Sequence, residues 1–455
     1  IAGRDYASCE ISERTLHEVY LPAFEAAVKA GVTAIMPAFC DIAGRPMSGD
    51  RGFLTDLVRD RWGFDGIYVS DYDAIGELVA HGVAGDLAEA AALALDAGLD
   101  VDMESRAYPT GLKPALERGL VSIERLDAAV ARVLRVKERL GLFDDPFGRG
   151  RVDRPAPSTR FDRRAVVHAA AIASATLLTN RDAVLPLAPT GGRIALIGPF
   201  VDDPAQMIGP WSGLGDQDEI VALREGIVAA FPDREIVVAK GCAPDFVEDD
   251  ADAAADAASI AEAVALAATA EVVILALGEP AALSGEAASR AHPRLTGRQA
   301  ELADRILVLG RPTVIVMTCG RPLIETDLIE RADATLVAWY PGSEGGRAIG
   351  SVLSGAAAPG GRLPVSWPID LGQIPVFFGE RPSGRPYVPG EHFTTQYVDV
   401  PNAPLFPFGH GLAYTSFALE PPVPSATTFR AADGLVVTTR VVNTGARAGS
   451  TTVYL

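Results

Sequence analysis

The sequence predicts an α/β protein made of two successive βα regions with the start of a β-sandwich behind them. Three observations predict this. Short apolar strands alternate with amphipathic helices over 1–145, and longer, almost wholly apolar strands separated by helices recur over 161–372. Residues 418–455 then change to the alternating pattern of a half-buried strand, clearest in GLVVTTRVVNTG. Helix-period segments between apolar runs imply parallel strands joined by crossover helices, and runs apolar throughout imply a sheet covered on both faces.

In the first region, residues 13–30 read as a helix with Ser12 as N-cap and Gly31 just past its end. A strand follows over Val32 to Pro37, then a helix from Leu54 to Arg61 and a strand at Ile67–Ser70. A helix over about 86–97 is stopped by Gly98, ahead of a strand at Leu99–Met103. Apolar residues from Ile123 to Leu140 form a last helical stripe, capped by Ser122 and ended by Gly141. A closed eight-stranded barrel takes about 250 residues, so 1–145 can hold only part of one.

Residues 146–160, rich in Pro, Gly and charge, read as a linker. The second region, 161–372, carries strands at 193–199, 235–241, 271–277, 312–318 and 334–340, with helices near 221–231, 253–268 and 297–309. An open, doubly wound sheet is expected. The acidic, Ala-rich stretch Asp249–Ala263 reads as a solvated helix. Residues 373–417 form a connector dense in Pro, Gly and aromatics, and 418–455 supply two or three strands of a sandwich that needs about seven.

Composition excludes several functions. A net charge of −19 over 455 residues argues against a nucleic-acid surface, which needs basic side chains to displace counterions. The four cysteines form no CxxC pair and the six histidines no HExxH, so no metal site and no cofactor is expected; the thiols read as buried and free. No apolar run reaches the roughly 20 residues that span a bilayer. A neutral small molecule suits this balance.

Two carboxylates stand out. Asp71 directly follows the strand Ile67–Ser70, and in a barrel that position is the rim where active sites form. It could also be a helix N-cap, but Asp73 is available for that role. Glu286 lies beyond the carboxyl end of strand 271–277, in the loop GEPAALSGEAASR, where open α/β sheets place ligands. Glu279 is nearer the strand. GSEGGRAIG (342–350) lacks GxGxxG spacing and reads as a tight turn and helix start. Trp339 and Tyr340 read as packing residues, and Ser70 lacks a GxSxG elbow.

Taken together, GRDY (3–6), GFDGIYVSDYDAIGEL (63–78), KERLGLFDDPF (137–147), LLTNRDAVLPL (177–187), GEPAALSGEAASR (278–290), YPGSEGG (340–346) and PLFPFGHGLAYTSF (404–417) resemble glycoside hydrolase family 3, in the order found there. The resemblance implies a partial TIM (β/α)8 barrel, then the doubly wound α/β sandwich and the start of a fibronectin type III-like domain. It places the nucleophile on Asp71 and the acid/base on Glu286, with Met36, Tyr72 and Met103 looking toward the sugar. It further implies a periplasmic or secreted enzyme acting on small carbohydrates, with no nucleic-acid or membrane partner, and compatible with a homodimer. The family's Lys-His motif and its earlier sugar-gripping residues would precede Ile1, so the sequence reads as beginning partway through the barrel. Phe39 and Cys40 stand where many relatives have Tyr and Asn.

The expected reaction is retaining hydrolysis by an exo-acting β-glucosidase. Asp71 would attack the anomeric carbon, while Glu286 would protonate the leaving oxygen and then activate water. A β-xylosidase of the same family is the nearest alternative. A non-catalytic carbohydrate-binding protein, or an inactive fragment on this scaffold, is the alternative of a different class.

Overall fold

A computed structural model describes residues 3–148, 160–213, 216–245 and 250–454. Residues 149–159 of the expected linker lie outside the described residues, as does Asp249. The chain forms two compact units, Ile1–Pro155 and Ala156–Leu455.

The first unit opens with a helical segment over Glu13–Lys29. Ser12 caps it by accepting from Thr15 N, and Gly31 ends it at φ +84°. Strand β1 (Ala34–Ile35) precedes a small hairpin, β2 (Asp41–Ile42) with β3 (Arg45–Pro46). Strand β4 (Ile67–Tyr68) lies parallel to β1. The next parallel segment is a single bridge, Val69 to Val101, rather than the strand expected over Leu99–Met103. Between them runs helix Leu87–Ala97, capped by Asp86 and ended by Gly98 in the left-handed region. Ser122 sits at the cap of helix Ile123–Arg139, but its hydroxyl makes no capping bond to the backbone.

Helix Ala107–Glu117 was not foreseen, because Pro109, Gly111 and Pro114 hide its period. A buried Asp100 carboxylate ties this unit together. It accepts from Arg59 Nη2 at 2.7 Å, Arg132 Nε at 2.6 Å and the backbone N–H of Tyr68 at 2.8 Å.

The second unit is built on a six-stranded sheet. Its strands are β5 (Thr176–Asn180), β6 (Ile194–Ile197), β7 (Ile236–Ala239), β8 (Val272–Gly278), β9 (Thr313–Thr318) and β10 (Ala334–Val337), in the order β5-β10-β9-β8-β6-β7. The five foreseen strands are parallel. The sixth, β5, was missed and pairs antiparallel with β10, making the sheet mixed. Strand alternation sends Leu196, Ile274, Val316 and Leu336 to one face, against helices Leu223–Ala230 and Gly345–Ser354. Ala195, Val273, Ile315 and Val337 go to the other, against helices Asp250–Ala268, Gln299–Leu307 and Thr326–Arg331.

The acidic helix is therefore not solvated all round. Ile260, Ala263 and Ala267 are fully buried on the sheet, and Asp256 is buried with its Oδ1 accepting from Ala243 N at 2.9 Å. The outer edge of β5 is covered by chain from the connector: Leu412 N donates to Leu177 O, and His410 Nε2 lies 2.8 Å from Leu178 O. Beyond it, β11 (Phe417–Leu419) pairs with β14 (Val441–Asn443), and β12 (Val423–Pro424) with β13 (Val437–Thr438), all antiparallel.

Candidate active site

Asp71 stands at the carboxyl end of β4, and backbone bonds fix it there. Ser70 N donates to Val101 O at 2.9 Å, and Met103 N donates to the buried Ser70 hydroxyl at 2.8 Å. That hydroxyl donates on to Asp71 O at 2.9 Å. The Asp71 carboxylate accepts from Tyr72 N at 2.7 Å through Oδ1. No helix starts at this point, contrary to the N-cap alternative. Residues 72–76 form turns, with Asp73 at φ +57°, and the helix begins only at Glu77. Glu104 and Arg106 also take positive φ, so sparsely populated backbone conformations gather around these strand ends.

Asp71 and Met36 line one cavity of about 470 Å³ together with Tyr20, Phe24, Phe53 and Trp62. Among the described residues that line it, Asp71 alone is charged. Tyr72 is exposed and Met103 half-buried, and neither lines this cavity. Met103 is nevertheless joined to the site through its backbone, since Asp73 N donates to Met103 O at 3.0 Å.

Glu286 belongs to the second unit. Its loop leaves the end of β8 at Glu279, and the exposed Glu286 sits between Gly285 at φ +94° and Ala287 at φ +56°. A side chain at Gly285 would be strained by its φ of +94° and tight as well, since a Cβ there would lie 3.0 Å from both Pro210 and Trp211. Glu279 is fully buried between two guanidiniums. Arg290 Nη1 reaches Oε2 at 2.5 Å and Arg321 Nε reaches Oε1 at 3.1 Å. Tyr340 donates to Glu279 O at 3.2 Å, and burial pushes its phenol up to about 12. Trp339 packs beside Trp367 in the core, as expected of a structural residue.

Residues 2–136 match the Glycosyl hydrolase family 3 N terminal domain, and residues 175–414 the Glycosyl hydrolase family 3 C-terminal domain. The chain belongs to glycosyl hydrolase family 3. Relatives in this family include a periplasmic β-glucosidase of Salmonella typhimurium, 36% identical over 100% of this chain and 62% of that protein. A β-xylosidase of Formosa agariphila is 34% identical over 98% of this chain and 62% of its own length. Among solved structures, a β-glucosidase from Listeria innocua in complex with isofagomine superposes with a TM-score of 0.83. It is 37% identical, over 92% of this chain and 57% of its own. The chain thus spans about three-fifths of these family members.

Sequence reasoning noted Glu279 but passed over the two arginines that pair with it. Arg321 lies 42 residues from Glu279, and no local spacing links them. All four cysteines are free, as expected, and Cys242 and Cys319 are buried; Cys9 and Cys40 depart from expectation in being half-buried and lining the Asp71 cavity. Among the described residues, no group of three His, Cys, Asp or Glu side chains could hold a metal ion, and no helix is long and apolar enough to cross a membrane.

Proposed function

We propose that the complete protein is a retaining, exo-acting β-glucosidase that removes terminal non-reducing β-D-glucose, with Asp71 as nucleophile and Glu286 as acid/base. The observation that supports this most is the family 3 match over residues 2–136 and 175–414 with a β-glucosidase among its relatives, combined with a carboxylate fixed at the carboxyl end of β4. Asp71 attacks the anomeric carbon as Glu286 gives its proton to the leaving oxygen, leaving a glycosyl-enzyme. Glu286, now ionised, takes a proton from water, which releases the sugar and restores both groups. Met36, Tyr72 and Met103 face the sugar.

On this reading, residues 1–145 are the C-terminal part of a TIM barrel. Residues 161–372 are the α/β sandwich, 373–417 the connector and 418–455 the beginning of a fibronectin type III-like domain. A periplasmic or secreted location accords with the named location of the Salmonella relative. A β-xylosidase is the second reading, favoured by the Formosa relative of nearly equal identity.

Aryl β-glucosides and β-xylosides assayed side by side on the complete protein separate the two. Xyloside turnover without glucoside turnover would reject the glucosidase. Asp71→Asn should lower kcat by at least about 10³-fold, in the range seen for loss of a nucleophile. Near-normal turnover in that variant would remove Asp71 from the mechanism.

A further inference from the structure

We propose that Arg321 is a positioning residue for Glu286, clamping the loop on both sides of it; this rests on Glu286 being the acid/base. A single guanidinium nitrogen of Arg321, Nη2, donates to Leu283 O at 2.7 Å and to Ala288 O at 2.9 Å. Those carbonyls stand three residues before Glu286 and two after it. The Nε of the same side chain bonds the buried Glu279 carboxylate at the root of the loop. Arg290, four residues past Glu286, closes onto the other oxygen of Glu279. The loop is therefore drawn into a ring around one buried charge.

Physical reasons make this clamp necessary. Glu286 is flanked by two residues in the left-handed region, and Ala287 there costs about 1–2 kcal/mol against a right-handed conformation. A loop with that stored strain relaxes unless its surroundings hold it. Arg321 itself stands on a rigid base, three residues beyond β9 and just ahead of the buried Leu323 and Ile324. At Gly320 a Cβ would fall 1.9 Å from Ser284 Oγ, so this backbone lies directly against the loop. Guanidinium geometry fits such a clamp, because its planar fork serves three acceptors at once, whereas an ammonium is a point charge on a flexible stem.

The test separates a displaced acid from a general loss of structure. In the complete protein, Arg321→Ala and Arg321→Lys are assayed on a glucoside with a poor leaving group, such as methyl β-glucoside, and on 2,4-dinitrophenyl β-glucoside. Rates are normalised to active sites counted with a trapping 2-deoxy-2-fluoroglucoside. Acid assistance matters for the first substrate and hardly for the second, so kcat/KM on the glycosylation step should fall about 10²-fold on the methyl glucoside. It should change less than about threefold on the dinitrophenyl glucoside. The lysine variant should show the same split, since it keeps the charge but not the double bridge, and it serves alone if the alanine variant does not fold. Equal losses on both substrates, or no loss, overturn the proposal. Glu286→Gln is run in parallel: absence of the split there rejects Glu286 as the acid, whereas a split there without one in the Arg321 variants rejects only the clamp.

Discussion

Met103 and Ser70 are joined by a hydrogen bond from the Met103 backbone N–H to the Ser70 hydroxyl, 2.8 Å long and 33 residues apart in sequence. It links the turn after Val101 to the residue immediately before Asp71. Ser70→Ala removes the acceptor while the site stays buried, which should cost about 1–3 kcal/mol of stability. Turnover should fall along with it, because Ser70 also donates to Asp71 O. Urea unfolding and steady-state kinetics on the same preparation check this; an unchanged midpoint and unchanged kcat would show that the bond holds nothing in place.

Asp100 balances two arginines in the first unit, and its side chain is fully buried. Asp100→Asn leaves Arg59 and Arg132 facing each other without a counter-charge. Breaking a buried ion pair from one side costs about 3–5 kcal/mol. A loss below about 1 kcal/mol in denaturant titration would mean that water reaches the arginines and compensates them.

Glu77 is held above the usual carboxylate range, first by burial and then by the Asp73 carboxylate, with Asp71 adding to it and His81 opposing. The folded protein therefore binds this proton more tightly than the unfolded chain. Its contribution to stability is fully present below the ordinary Glu value of about 4.3 and is lost as the pH rises through the higher folded value. Glu77→Gln should accordingly raise Tm at pH 7 and leave it unchanged near about pH 3. Tm measured across that range decides; a lower Tm at pH 7 would contradict the assigned sign.

Gly226 lies where helices Leu223–Ala230 and Gly345–Ser354 touch backbone to backbone. A Cβ at Gly226 would stand 1.9 Å from Gly346 O, and one at Gly346 would stand 2.0 Å from Ala222 O. Gly226→Ala should thus destabilise by about 3 kcal/mol, at the upper end of overpacking costs. Gly372→Ala, with open space at its Cβ, is the control. Equal Tm values for the two variants would refute the close contact. The contact also explains Gly346, the last glycine of GSEGG, which lets two helices approach on one face of the sheet.

The parallel strands β6 to β10 were legible because burial on both faces makes them apolar throughout. β5 was not, since TLLTN directly follows a helix and its partner β10 lies more than 150 residues away. In the first unit the strand expected over Leu99–Met103 shrinks to one bridge because the chain there turns to hold Ser70 and Asp73. Asp71 and Glu286 were marked by their places beyond strand ends, but taken singly each had a bland explanation, and only the resemblance joined them as a pair. The groups that fix their backbones, Ser70, Glu279 and Arg321, act through contacts across 33 to 42 residues that no local pattern announces.

The cover over β5 has a consequence for handling the protein. Leu412 and His410 occupy the hydrogen-bonding positions that an edge strand would otherwise offer to a stranger. Cutting the chain before Pro404 would uncover Leu177 and Leu178 as a bare template, ready to be extended by the same segment of a second molecule. A version shortened in this way should therefore aggregate, read as light scattering, while its circular dichroism still shows the fold.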